Sequence, residues 1–308
     1  IVEYVSGRTG SYASGYLAMA VIIGLVFALP YIAVVLGTKE RADFSAAPPR
    51  KDWWTPMLNA FKVRSFRMLI VVYLAVFVSL DLITTSFQFY MTYVLRRPDE
   101  FASVLGVLIV VEIVAALFTA PLVRLTNKAT ATILGSALWM LTGLATLLVG
   151  PDSPGFAVYL VAAVMGVAMA FPVVLLNSLF ADVSDVGELY FGSRVEGTFS
   201  GVQTFVRKVA SAGANASFML AIGWAGFVAP VRRVEGLRET LTFQAQPTAF
   251  ETAIRATIAI APLALLGLGI AVMLRWPITS ERHGKLLEYL AAAREGRECE
   301  PGLKAEVE

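Results

Sequence analysis

Histidine and cysteine are almost missing from this chain. His283 and Cys299 are the single representatives of their types among 308 residues, and both lie in a polar carboxyl-terminal tail. That removes disulfide frameworks, thiolate metal clusters, zinc sites and histidine-based triads. Charge is also scarce, with Asp, Glu, Lys and Arg making up 16% against roughly 25% in a soluble domain. The formal net charge of +2 supplies no field to gather nucleic acid or acidic partners, so no nucleic-acid partner is expected. Walker loops, dinucleotide glycine motifs and low-complexity repeats are absent, and no nucleophile, acid and base gather at one depth. Neither enzymatic activity nor a bound cofactor or metal is expected. The opening IVEYVSGRTGSYASGY is Gly/Ser-rich and lacks the basic stretch and apolar core of a signal peptide. It reads as beginning within a loop of a longer protein.

What the chain has in abundance is apolar surface: 57% of its residues, with a mean hydropathy of +0.70. A spanning helix needs about 20 mostly apolar residues, and seven segments qualify, near 16–37, 67–94, 101–123, 130–149, 156–180, 199–228 and 252–275. An all-α polytopic membrane protein with seven transmembrane helices is therefore expected. Its parts would be a lead-in and first span (1–37), a central loop with an interfacial helix (38–66), a six-helix bundle (67–275) and a polar tail (276–308), the tail a short helix ending in disorder. Trp53 and Trp54, beside the basic residues of Lys51–Phe66, fit headgroup depth. Sixteen of the 25 Lys and Arg residues fall on one side of the spans and seven on the other. The positive-inside rule then places the amino-terminal end outside and the carboxyl terminus in the cytoplasm, as in a bacterial-type inner membrane.

Ionisable groups inside a span cost about 2.5–3.5 kcal/mol each on insertion scales, so they face a wet path or a partner. Asp81 shares a helical face with Thr84, Thr85, Gln88 and Thr92, at offsets 0, 3, 4, 7 and 11. That face either lines water or hydrogen-bonds a neighbouring helix. Glu112 stands among apolar residues without a polar stripe, the pattern of a protonated or structurally paired acid. Thr204, Lys208, Ser211 and Asn215 recur at offsets 0, 4, 7 and 11, flanked by Gln203. Lys208 can there donate to a polyhydroxyl solute, balance an intramembrane carboxylate, compete with a bound cation, or snorkel to the interface. Arg207, one position round the helix, is the better placed to snorkel. Before this helix, 181–198 reads as a charged loop in which Asp182, Asp185, Glu188, Arg194 and Glu196 form a salt-bridged gate against basic residues of another loop, or a solvated surface. A metal site there is the weaker reading.

The block ADVSDVGELYFGSRVEGTFSGVQTFVRKVASAG resembles the glycoside-pentoside-hexuronide:cation symporter family (melibiose permease-like) of the major facilitator superfamily. The likeness rests on Asp182, Asp185, Glu188, Gly192, Arg194, Glu196, Gly197 and Lys208, with GTKER (Gly37 to Arg41) closing the first span. It implies the sixth span, central loop and carboxyl-terminal six-helix half of a twelve-helix transporter, with the preceding amino-terminal helices as partner. It also implies sodium- or proton-coupled symport of a sugar or related hydroxylated solute, with Gln203, Thr204 and Lys208 beside the solute pocket. Asp81 is not a family-motif position. A pocket tryptophan of sugar-carrying members falls near Val173, so its stacking surface is missing here. A lysophospholipid-like cargo, or a non-transporting membrane receptor or scaffold, is the alternative.

Overall fold

The computed structural model describes residues 2–9, 11–38, 54–235 and 238–294. Contacts divide the chain into two units, Ile1–Lys51 and Asp52–Glu308. In the first, α1 (Val2–Thr9) lies against α2 (Tyr12–Gly37). Gly15 makes the approach possible, because a Cβ there would stand 2.7 Å from the carbonyl oxygen of Val2. α2 is apolar all round and its side chains are largely exposed within its unit, as a helix meeting lipid or another protein must be.

The second unit begins with α3 (Trp54–Ala60) and α4 (Arg64–Phe89), which continues through a π-helical turn at Tyr90–Val94. A 3-10 turn at Pro98–Glu100 leads into α5 (Phe101–Ala116) and α6 (Thr119–Leu125), which are bent by 48° from one another. Then come α7 (Lys128–Ala145), α8 (Gly155–Phe191) and α9 (Glu196–Trp224). An antiparallel hairpin of β1 (Val231–Glu235) and β2 (Arg238–Thr242) precedes α10 (Thr248–Met273) and α11 (Ser280–Arg294). Helices pack as α5 on α8, α8 on α7, α7 on α10, α10 on α4 and α4 on α9, around buried Trp139, Leu176, Ile254 and Leu266.

Small residues set the closest crossings. A Cβ on Gly166 would stand 2.5 Å from the carbonyl of Leu108, and one on Gly135 would meet Phe171 and Pro172 within 2.8 Å. Such crossings are how helices associate where lipid removes the usual hydrophobic drive. Hydroxyls inside the bundle satisfy themselves on their own helices, as when Ser79 donates to Ala75 and Ser86 to Leu82. Pro172 interrupts the ladder of α8.

Every expected apolar segment falls on a helix, yet seven spans are not reached by length and composition. Among the described residues five helices qualify, or six if the bent α5–α6 pair is one span. α9 has 29 residues and is not among them, because polar and charged groups run along it. Two other expectations are corrected. Residues 181–191 are the last turns of α8 and not a loop; the connection proper starts at Gly192, which caps the helix with φ 65°. The mixed 229–251 connection contains the hairpin, an addition to helices that otherwise make up the regular structure among the described residues. Trp53, Lys39, Glu40, Arg41 and Cys299 lie outside the described residues.

Candidate functional site

α4 and α9 run parallel, and the polar stripes of both meet along the seam. The Tyr73 hydroxyl meets the side chain of Gln203, the Arg207 Nη2 donates to Asp81 Oδ1 at 3.2 Å, and the Thr85 hydroxyl donates to Asn215 Oδ1 at 2.6 Å. Pairings at 73–203, 81–207 and 85–215 advance in the same direction on both chains, which fixes the parallel sense. Each helix contributes a row spaced by fours, the spacing that keeps side chains on one face. The Arg207 guanidinium also sits over the Phe77 ring, 4.4 Å from its centroid, a cation–π contact strengthened by desolvation. Arg207 is therefore not a snorkelling residue: an acid and an aromatic ring hold it within the bundle. The pair is incompletely satisfied, since Asp81 Oδ2 and Arg207 Nη1 are buried with no protein hydrogen-bond partner.

Lys208 stands apart from this network. It is exposed on α9, and among the described residues it makes no ion pair or hydrogen bond. It belongs to a stripe of exposed, mostly small positions, Gly201, Thr204, Lys208, Ala212 and Ala216, at offsets that share one face. Gln203, in contrast, is buried against α4. Of the sequence-derived pocket residues, then, Asp81 and Gln203 are gathered in the seam while Thr204 and Lys208 face outward beside it. Glu112 is half-buried on α5 and has no hydrogen bond or ion pair among the described residues.

A second cluster forms where α7 begins and α8 ends. Lys128 Nζ donates to both carboxylate oxygens of Asp182 at 2.7 Å, and His283 Nε2 lies 3.0 Å from Asp185 Oδ2 and 3.7 Å from Asp182 Oδ1. Arg194 reaches Glu188 and Glu196, each at 3.7 Å. With 37 residues, α8 is about 55 Å long at 1.5 Å per residue, well beyond a hydrocarbon core of about 30 Å. Its acidic end consequently projects past the core. Sequence reasoning missed Lys128 and His283 as partners. Asn127, whose side chain accepts from the Thr130 amide at 2.7 Å, marks the helix start that aims Lys128, and that N-cap signal was there to be used. For His283 no signal existed. Among the described residues no three acidic, histidine or cysteine side chains gather as a metal site.

A family model described as MFS/sugar transport protein matches residues 1–280. The chain belongs to this family. Membership makes it an integral membrane protein and a transporter of the major facilitator type, in line with its apolar helices. The match runs through both contact units and ends at the first residue of α11. No curated protein matches the chain.

Proposed function

We propose that the chain forms one wall of a cation-coupled symporter, with sodium or a proton driving uptake of a sugar or related hydroxylated solute by alternating access. The opposite wall is the amino-terminal helical half. Lys208, Thr204 and Gln203 face or border the solute, and Asp81 holds Arg207 behind them. Asp182, Asp185, Glu188, Arg194 and Glu196 form the cytoplasmic gate, together with Lys128 and His283. The narrower likeness to glycoside-pentoside-hexuronide:cation symporters, carried by residues 182–208, supports this choice of cargo and coupling.

The observation that carries the reading is the character of α9. It has spanning length, its one face is bonded to α4, and its open face presents a lysine, unpartnered among the described residues, beside small residues. An ammonium facing acyl chains at mid-helix costs about 2.5–3.5 kcal/mol, which a hydrated path between two halves removes. Facilitator-type carriers bind solute near the bilayer midplane between repeats, where such a face is needed. Cation and solute must each bind better in the other's presence, and a fixed positive charge next to the path repels the coupling cation unless the hydroxyl oxygens of a bound solute stand between them.

The test is solute counterflow by the full-length transporter in proteoliposomes, with and without a sodium or proton gradient. Lys208→Met is expected to abolish gradient-driven accumulation while leaving the thermal unfolding midpoint unchanged, because among the described residues Lys208 has no partner to lose. Normal accumulation by that variant would remove Lys208 from the mechanism. One feature favours an amphiphile instead: Val173, half-buried on α8, offers no aromatic surface. A lysophospholipid in the same assay decides between the two cargoes.

A further inference from the structure

The polar stripe of α4 does not end at the seam. Gln88 and Thr92 continue it, and about 16 Å from Asp81, at 1.5 Å per residue, it opens into two adjoining pockets. One is lined by Gln88, Phe89, Thr92, Tyr93, Phe101 and Phe227 among others, the next by Arg96, Gln244, Gln246 and Glu251; they share Thr92, Tyr93, Pro98 and Phe243. They measure about 330 and 450 Å³, within the range of about 300–1,000 Å³ typical of small-molecule sites.

Three independent features converge there. First, the backbone is irregular: α4 ends in the π-helical turn that carries Thr92 and Tyr93, and Arg96 adopts φ 58°, a left-handed conformation costly for a residue with a Cβ. Both irregularities recur at functional sites more than in plain scaffolding. Second, Phe89, Tyr93, Phe227, Phe243 and Phe250 pack ring on ring, yet Phe243 remains 43% exposed. Third, the polar groups are free. Among the described residues the side chains of Gln88, Thr92 and Gln244 have no hydrogen-bond partner, whereas Gln246 is spent clasping the backbone of Val228 at 2.9 and 2.8 Å.

We infer that these pockets are a solute-loading site at the carboxyl-terminal end of α4, taking an uncharged sugar ring and passing it along the Thr92, Gln88, Thr85 stripe to the α4–α9 seam. The inference rests on the transport reading above and names where its solute first binds. The chemistry matches: the C–H face of a pyranose or furanose carries partial positive charge and settles on the negative face of an aromatic ring. Its hydroxyls are served by two amides and a threonine. Among the described residues lining the pockets the charged ones are Arg96 and Glu251, which lie 3.9 Å apart and offset each other, a setting that favours a neutral ring over an ionic solute.

The experiment uses the full-length transporter in proteoliposomes with glucose, galactose, xylose and lactose, and it measures both equilibrium binding and uptake. Wild type is expected to show two classes of binding site for its transported sugar. Phe243→Ala should remove one class and raise the KM of uptake about tenfold, equivalent to about 1.4 kcal/mol, with the maximal rate unchanged. Lys208→Met should lose uptake and keep binding at the Phe243 class. Thr92→Val with Gln88→Ala, which leaves the aromatic packing alone, should repeat the Phe243→Ala effect and decides the matter if that variant misfolds. Unchanged KM and site number in these variants overturn the inference and leave the transport reading standing. A wild type that neither binds nor moves any of the four sugars overturns both.

Discussion

The Asp81–Arg207 pair sets the energetic stakes at the residue scale. Two half-buried charges between α4 and α9 stabilise little as a pair, but removing one strands the other, at a cost of up to about 3 kcal/mol. Arg207→Gln is accordingly expected to lower the unfolding midpoint of the detergent-solubilised protein sharply. Asp81→Asn combined with Arg207→Gln should recover most of that loss, and a double-mutant cycle measures the coupling. Both residues were legible in the sequence as mid-span charges. Their pairing was not, because hydropathy gives depth along one helix and says nothing about which helices touch. Lys208 shows the opposite outcome: its offsets grouped it with Thr204, Ser211 and Asn215 on one face, whereas the fold turns Asn215 and Arg207 into the seam and leaves Thr204 and Lys208 facing outward.

At the scale of elements, small residues decide which helices meet. Adding a methyl group at Gly166 drives a Cβ into the Leu108 carbonyl at 2.5 Å. Gly166→Ala should therefore push α5 from α8 and cost about 1–3 kcal/mol. Gly106, on α5, has nothing within 4 Å of a Cβ, so Gly106→Ala should be neutral or stabilise by up to about 1 kcal/mol through helix propensity. Unfolding midpoints of the two variants, measured side by side, check the contrast. The helices themselves were plain from long apolar runs, but their ends were not. Asp182, Asp185 and Glu188 suggested a loop because polarity marks water, and a helix that leaves the bilayer is polar too. Their spacing of three fits one face of a continuing helix, and Gly187 between them stays helical, packed against Val195 and Phe199. The hairpin, VRRVE paired with RETLT, gave no apolar signal in the sequence.

Across the whole molecule, the tail is tied back to the bundle. α11 rests on α8 through buried Leu286 and Leu290 and through His283, which stands between Asp185 and Asp182. His283→Ala should loosen this docking and speed tryptic cleavage at Arg282 and Lys285, with uptake assayed in parallel to learn whether the gate needs it. The membrane class and the helical segments followed from composition. The assembly of Lys128, Asp182, Asp185 and His283 from three separate helices did not, since it is created by packing alone.

Pro172 gives α8 a mechanical property. Asp182 lies ten residues beyond it, about 15 Å along the helix axis, and proline is where a helix bends most readily. A change of about 10° in that bend swings the carboxylate by about 2–3 Å, as far as its whole separation from the Lys128 ammonium. A small flexure deep in the bundle is thereby magnified into the making or breaking of a charge contact at the rim.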